Sequence, residues 1–539
     1  MASPSISLCM IVKDEAENLP CCLKSVTGLV DEIIVVDTGS QDSTVAIARK
    51  FGAQVSFFPW TNSFSEARNR SLELATCDWI LILDGDDEFY REDIPHLKQL
   101  VSVPEVEAYF LQTVNEMGVN NPEISLTNLT MRLFRNRPNY RYTGRVHEGI
   151  IASIMEAAGR DAIKVASQVR VRHYGYLKQE VDKKEKASRN MALLQQELAS
   201  RQPDNFLYYN LAVEYLRAGE YDQALEYFDL AEKNIRWEAP YASYLVRRKA
   251  DCLAQMNKKH EALQYLQQKS SLFPDYTDLY YHMAVLHLEL RNYWQAVQML
   301  ERCLAMGEAP SNYASEAGVS GERAWLAMAD AYIKIGEKER AVEVFRRQLM
   351  SNPTDLQPLV RIVQLLLPLK GEAETIAYLD NFFHMATPAA NLALADIFLA
   401  EGLPRQAFEF LQKALQQKAE GDCYHATAGE VFLLLGELSR AKEHLSQIPI
   451  SSDHYPRSTR NLCLLYWLEE SMEQAAALLS SWQEGTIKKL FQICHSFLLD
   501  GSIYKHHTHI LLYKSNLGVI MEGLLFGQYK SRIIVYSDA

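Results

Sequence analysis

The chain predicts an α/β domain with a mixed, mostly parallel sheet, followed by an all-α array of helical repeats. Three observations lead there. Over the first third, apolar strand-like runs alternate with helix-like segments, the pattern of a sheet with crossover helices. Two of those runs end in carboxylates, Asp37 and Asp84, where such sheets bind ligands. From residue 205 onward the pattern is helical and recurs about every 34 residues.

At 539 residues the chain exceeds one core, so two or more domains are expected. Its 48% hydrophobic and 23% charged residues are those of an ordinary globular protein. A net charge of -13 argues against a nucleic-acid partner and makes a cation easy to accommodate. Residues 1–10 carry no basic segment with a signal-length apolar run, and no later stretch suits a bilayer. No transmembrane segment is expected, and the expected compartment is the cytoplasm. The nine cysteines lack metal-ligand spacing and fit reduced thiols there.

Residues 6–12 read as a strand, 13–26 as a helix opened by Lys13-Asp14-Glu15, and 32–36 as a second strand. A polar stretch from Asp37 to Thr44 leads into a helix over 45–51, a short strand over 54–58 and a helix over 64–75. Residues 79–83 form an uninterrupted apolar run, a strand buried on both faces, and Asp84, Asp86 and Asp87 follow it. Like charges at the mouth of a buried strand repel and lose solvation, so they call for a divalent cation or another positive group. Mg²⁺ or Mn²⁺ suits such oxygen ligands and would hold substrate phosphates as well. The rival reading is a solvated acidic turn, with Gly85 present for its backbone freedom. Asp37 at a second strand end favours the metal. Further strands are expected over 108–114 and 130–134. The basic cluster Arg132, Arg135, Arg137, Arg141 and Arg145 either faces a diphosphate or an acidic acceptor, or forms structural ion pairs.

Ser7 to Glu15, Ile34 to Thr44, Ala67-Arg68-Asn69 and Leu83-Asp84-Gly85-Asp86-Asp87-Glu88 together resemble glycosyltransferase family two. The resemblance implies a GT-A fold, a nucleotide-diphospho sugar donor (a UDP-sugar carrying a hexosyl or N-acetylhexosaminyl unit) and inversion at the anomeric carbon. It puts Val12, Glu15, Thr38 and Gly85 at the donor site, with Asp37 on the nucleobase or ribose. The other reading of Asp37 is an Asx turn capping the next helix. Asp84 and Asp86 become the Asp-x-Asp pair, Asp86 as direct metal ligand and Asp84 nearer the ribose or metal, with Asp87 or Glu88 behind them or in solvent. Arg68 holds the carboxylates or the diphosphate, or lies on a helix surface. His147-Glu148 resembles the motif that supplies the catalytic base, with Glu148 where aspartate is commoner and the choice between the two residues open. His173 resembles the histidine that completes the metal site. In that chemistry the metal offsets charge on the departing diphosphate, Glu148 takes the acceptor's proton, and one displacement inverts the centre.

Residues 178–204 read as a charged helical connector. Beyond it Ala212, Gly219, Ala224 and Phe228, then Ala250 and Ala262, Ala284 and Ala296, and, after an insertion at 307–321, Ala329 and Ala341 keep one pattern. Ala395 and Ala407, Gly429 and Ala441, and Cys463 and Ala475 continue it, with a degenerate unit around Gly371. This part resembles tetratricopeptide proteins, which stack paired helices into a solenoid with a concave groove. The expected domains are 1–177 (transferase), 178–204, 205–486 (repeats) and 487–539, the last a cap or homo-oligomer contact containing an apolar stretch at 533–536. The groove would hold a protein or peptide acceptor, or serve as a rigid prop or dimer surface. The fusion resembles bacterial protein glycosyltransferases, including those acting on flagellin, and implies Ser/Thr hydroxyl acceptors. The rivals are a glycan or lipopolysaccharide-core acceptor, a cysteine thiol acceptor, and a non-catalytic scaffold with a vestigial transferase fold. The intact Asp37, Asp84, Asp86, Glu148 and His173 set speaks against the last.

Overall fold

The computed structural model describes residues 4–116, 125–174, 180–200, 202–382, 387–482, 488–489, 491–492, 495, 503–506 and 509–512. The apolar run Ile6–Val12 is β1, which pairs in parallel with β2 (Glu32–Asp37) and β4 (Trp79–Ile82), and β3 (Gln54–Phe57) pairs in parallel with β2. β5 (Asp87–Phe89), β6 (Ala108–Glu116), β7 (Ser125–Arg135) and β8 (Ile163–His173) complete the sheet in the order β3-β2-β1-β4-β7-β6-β8-β5. β7 runs antiparallel to β4 and β6, and β5 antiparallel to β8. Because β1, β2 and β4 are parallel, Val12, Asp37 and Ile82 end at one rim. The uninterrupted run of β4 is explained by its two buried faces. Trp79, Leu81 and Leu83 enter one core cluster and Ile80 and Ile82 the other.

The crossover helices are α1 (Leu19–Ser25), α2 (Thr44–Lys50) and α3 (Phe64–Leu74), followed by α4 (Ile94–Leu100) and α5 (Ile151–Ala158). The helix expected from residue 13 starts at Leu19 instead. Residues 13–18 are drawn to the turn after β2: Asp14 N–H donates to Ser40 Oγ (2.9 Å), Glu15 N–H to Thr44 Oγ1 (2.8 Å), and Asp14 takes φ +53°. Pro20 in the first turn suits the later start. β5 is a second difference, since Asp87–Phe89, for which no strand was expected, pair with β8.

The connector is α6 (Glu180–Ser200). Packed pairs follow: α7 (Asn205–Ala218) with α8 (Tyr221–Glu232), α9 (Ala242–Gln255) with α10 (Lys259–Lys269), and α11 (Thr277–Glu289) with α12 (Tyr293–Met306). Then come α13 (Glu322–Ile335), α14 (Lys338–Ser351) and α15 (Gln357–Phe382), the last broken at Gly371, where φ is +77°. That break is the degenerate unit. α16 (Pro388–Ala400) packs with α17 (Pro404–Gln416), α18 (Asp422–Leu434) with α19 (Leu438–Leu445), and α20 (Tyr455–Leu468) with α21 (Met472–Ser480). The recurrent alanines are buried at close helix approaches, and a Cβ on Gly429 would fall 2.5 Å from the Leu445 side chain.

The chain forms two compact units, Met1–Val344 and Phe345–Ala539. In the first, the 307–321 insertion contributes β9 (Ser315–Glu316), which adds to β7. Buried Asp278 secures it, accepting from Ser315 Oγ (2.7 Å) and Glu316 N–H (2.8 Å), and Arg247 bridges Asp278 and Glu316. In the second, β10 (Ile503–His506) pairs antiparallel with β11 (His509–Leu512), and residues 533–536 lie outside the described residues. No described helix is long and apolar enough to cross a membrane.

The turn inside each helix pair passes through a left-handed residue. Gly219, Gly336, Gly402 and Gly436 supply it cheaply, whereas Asn257, Arg291 and Glu470 do so with side chains. Arg291, at φ +60°, is exposed. Arg291→Gly is therefore expected to raise the stability of the first unit by about 0.5–1 kcal/mol, read as a higher denaturation midpoint; a lower midpoint would remove the strain argument.

Candidate active site

At the rim, Thr38 N–H donates to the Val12 carbonyl (3.0 Å) and Asp37, 1% exposed, accepts from Gly39 N–H (3.1 Å) and Ser40 N–H (3.1 Å). Asp37 thus orders the 38–40 turn, while Asp42 takes the Thr44 N–H at the start of α2 (2.9 Å). Glu15 lies across the β4–β5 loop: a Cβ on Gly85 would come within 2.8 Å of Glu15 Cγ, so the loop needs glycine for that approach.

The carboxylates after β4 take three different roles. Asp87 is buried, hydrogen-bonded through Oδ1 to His173 Nδ1 (2.9 Å), while Oδ2 accepts from Arg132 Nη1 (2.5 Å) and from Asp84 N–H (2.7 Å). The antiparallel register that pairs Asp87 with His173 creates this contact. Asp86 stands beside it, its Oδ1 3.6 Å from His173 Nδ1. Asp84 Oδ1 accepts from Arg68 Nη2 (2.8 Å). Ligand atoms of Asp84, Asp87 and His173 lie within 4.8 Å of one another. That cluster includes Asp87, both of whose oxygens are already engaged, and not Asp86. A carboxylate on Nδ1 is the usual support of a ligating imidazole.

Arg68 is largely buried on α3 and bridges two carboxylates, Asp84 and, through Nε, Glu148 Oε1 (2.5 Å). Neighbouring Asn69 pins the Tyr142 backbone in both directions (3.0 and 2.8 Å). His147, at φ +54°, points the other way, its Nε2 3.8 Å from Glu214 Oε1 on α7. The structure therefore brings Arg68, Asp84 and Glu148 together on one side and Asp86, Asp87 and His173 on the other, joined through the Asp84 amide.

Charge follows that division. Burial works to raise the Asp84 carboxyl, but Arg68 and Arg132 outweigh it and hold it well below the usual range. Asp86 is raised, chiefly by burial and then by Asp84 and Asp87, against the pull of His173. Burial lowers His173, yet its hydrogen bond to Asp87 and the surrounding carboxylates leave it raised. Burial among other carboxylates disfavours charge on Asp86, a condition a cation would relieve.

Sequence reasoning placed Arg132 in a basic cluster, where it is the partner of Asp87. Arg135 and Arg137 pair with Glu107, and Arg141 and Arg145 donate to the Tyr140 and Asn62 carbonyls. Ion pairs thus engage Arg132, Arg135 and Arg137 of this cluster, and backbone carbonyls Arg141 and Arg145. Glu88 is tied to Arg172 and Tyr174. Glu197 and Glu214 had no signal in the sequence beyond lying on helices.

Residues 7–159 match the model of glycosyl transferase family 2, and residues 207–234 and 322–355 that of the tetratricopeptide repeat. A TPR repeat-containing protein of Synechococcus elongatus is 35% identical over 273 residues, covering 49% of this chain and 67% of its own. The chain belongs to glycosyl transferase family 2, with tetratricopeptide repeats. The SPbeta prophage-derived glycosyltransferase SunS of Bacillus subtilis is 26% identical over 298 residues, 54% of this chain and 68% of that protein. Glucosyl-3-phosphoglycerate synthase of Mycobacterium tuberculosis, solved with Mn²⁺, UDP and glucosyl-3-phosphoglycerate, is 19% identical with a TM-score of 0.27, covering 36% of this chain and 79% of that one. The family 2 match ends before β8, so the place of His173 rests on its pairing with Asp87.

Proposed function

We propose that this chain is a metal-dependent, inverting family 2 glycosyltransferase that acts in the cytoplasm and moves a sugar from a UDP-sugar to a serine or threonine hydroxyl of a protein of flagellin type, held by the repeats. The observation that carries the reading is the Arg68 bridge, which links Asp84 of the acidic rim to Glu148. Asp86 and His173 would hold the cation, Asp84 standing beside them. Two carboxylates with one imidazole suit Mn²⁺. A bound cation would supply charge neutralisation for the leaving diphosphate. Arg68 orients Glu148 through Oε1, leaving Oε2 to accept the proton of the attacking hydroxyl. Asp87 fixes the tautomer and direction of His173. The transferase sheet alone gives no reason for a repeat array, and tetratricopeptide grooves commonly take extended peptide, which supports a protein acceptor.

The test is nucleotide release by the full chain from UDP-sugars with Mn²⁺ and with chelator, alongside mass spectrometry of a co-expressed acceptor. Release only with Mn²⁺ and a hexose-sized adduct on serine or threonine are the expected results. No release under either condition would refute the enzyme, and an adduct on cysteine or on a glycan would refute the acceptor class.

A further inference from the structure

The loop carrying His147 and Glu148 does not hold its shape by local preference. It is closed by reciprocal Thr143 and Gly149 backbone hydrogen bonds (3.0 Å each), and inside it Gly144 takes φ +94° and His147 φ +54°. A histidine in the left-handed region costs about 1 kcal/mol and persists only where surroundings impose it.

Those surroundings come from helices beyond the transferase sheet. Glu197 of α6, 5% exposed, accepts the Arg145 N–H (2.9 Å). Val146 is buried against Leu193 and Leu194 of α6 and Leu207 and Leu211 of α7. Trp60 and Phe64 join that cluster, and Phe64 N–H donates to the Arg145 carbonyl (2.8 Å), so the start of the Arg68 helix is held with it. Glu214 of α7, 1% exposed, faces His147 Nε2 and accepts from Arg217 (2.9 Å). Burial works to raise its carboxyl, but His147 and Arg217 outweigh it and leave it lowered, as expected of an anion held for its partners. All of these residues belong to one compact unit.

We propose that the first repeat completes the active site, with Glu214 as a positioning residue that fixes the His147–Glu148 loop in its strained turn. The inference rests on the reading of Glu148 as the base. On this account the first repeat is part of the catalytic apparatus, and a chain ended after the connector would lose donor turnover as well as acceptor binding.

The experiment uses the full chain with Glu214→Ala and the volume-conserving Glu214→Gln, each checked by circular dichroism, and reads two quantities. Hydrogen exchange at amides 145–148 should accelerate in both variants while β1 and β4 keep their protection; unchanged exchange in the loop of the folded variants would overturn the proposal. For nucleotide release with Mn²⁺, kcat should fall about tenfold to a hundredfold with the donor KM within about twofold. An unchanged kcat would also overturn it. If the wild-type chain releases no nucleotide, the transferase reading fails, while the exchange result still decides whether Glu214 orders the loop. Should Glu214→Ala not fold, Glu214→Gln alone is read by the same criteria.

Discussion

Arg68→Leu is expected to destabilise the first compact unit by about 3–5 kcal/mol and to abolish nucleotide release. The guanidinium is largely buried between Asp84 and Glu148, contacting each through a different nitrogen. Leucine conserves much of the volume and removes the charge, leaving two partly buried carboxylates facing one another without a cation. That loss exceeds anything a surface ion pair could supply, since exposed pairs contribute about 0–1 kcal/mol. A double-mutant cycle isolates the cause. If the loss is Asp84–Glu148 repulsion, Glu148→Gln in the Arg68→Leu background should recover part of the stability while activity stays absent. Unfolding in urea followed by circular dichroism measures both. A destabilisation below about 1 kcal/mol, or no recovery in the double variant, would remove Arg68 as the link between rim and base.

How much of this site could be read in the chain follows from how local each interaction is. β4 is apolar throughout, and β1 but for Ser7 and β2 between Glu32 and Asp37 are apolar too, so all three are legible as runs. The rim carboxylates are legible because charge after a buried strand is costly. The recurrent alanines are legible because close helix packing leaves no room for larger residues, and each is buried. What stayed hidden depends on long-range pairing. Residues 13–15 look like a helix start, but their polar groups find better partners in the turn at 40–44. Asp87 is one more acidic residue until β5 pairs with β8, 86 positions away, and Arg132, 45 positions away, closes over it. The break at 307–321 was visible in the repeat spacing. Its role as a strand came from buried Asp278 and Arg247, whose charges had no visible destination.

Asp86→Asn and Asp87→Asn are expected to separate two kinds of carboxylate that stand side by side. Asp86 is a group whose charge the metal-free protein tolerates poorly, since burial and its acidic neighbours hold its carboxyl above the ordinary 3.8. A carboxyl raised in the folded state keeps its proton longer there than in the unfolded chain. It therefore lowers metal-free stability as pH rises from the unfolded value through the raised one. Asp86→Asn should leave the metal-free fold as stable or more stable, flatten that pH dependence, and remove Mn²⁺ binding. In the wild-type chain Mn²⁺ must displace a proton from Asp86 and find His173 neutral. With both groups raised, affinity should weaken on acidification before an ordinary aspartate would take up a proton. Asp87→Asn acts on the fold instead. It strips the buried Arg132 of its anion, which should cost about 3–5 kcal/mol. It also loosens His173, which should weaken Mn²⁺ about tenfold to a hundredfold. Titration of each variant with Mn²⁺ by calorimetry, with parallel denaturation in chelator, reads both effects. The reverse pattern, metal lost and fold kept in Asp87→Asn, would make Asp87 the ligand, and Asp86 would then be only a buried neighbour.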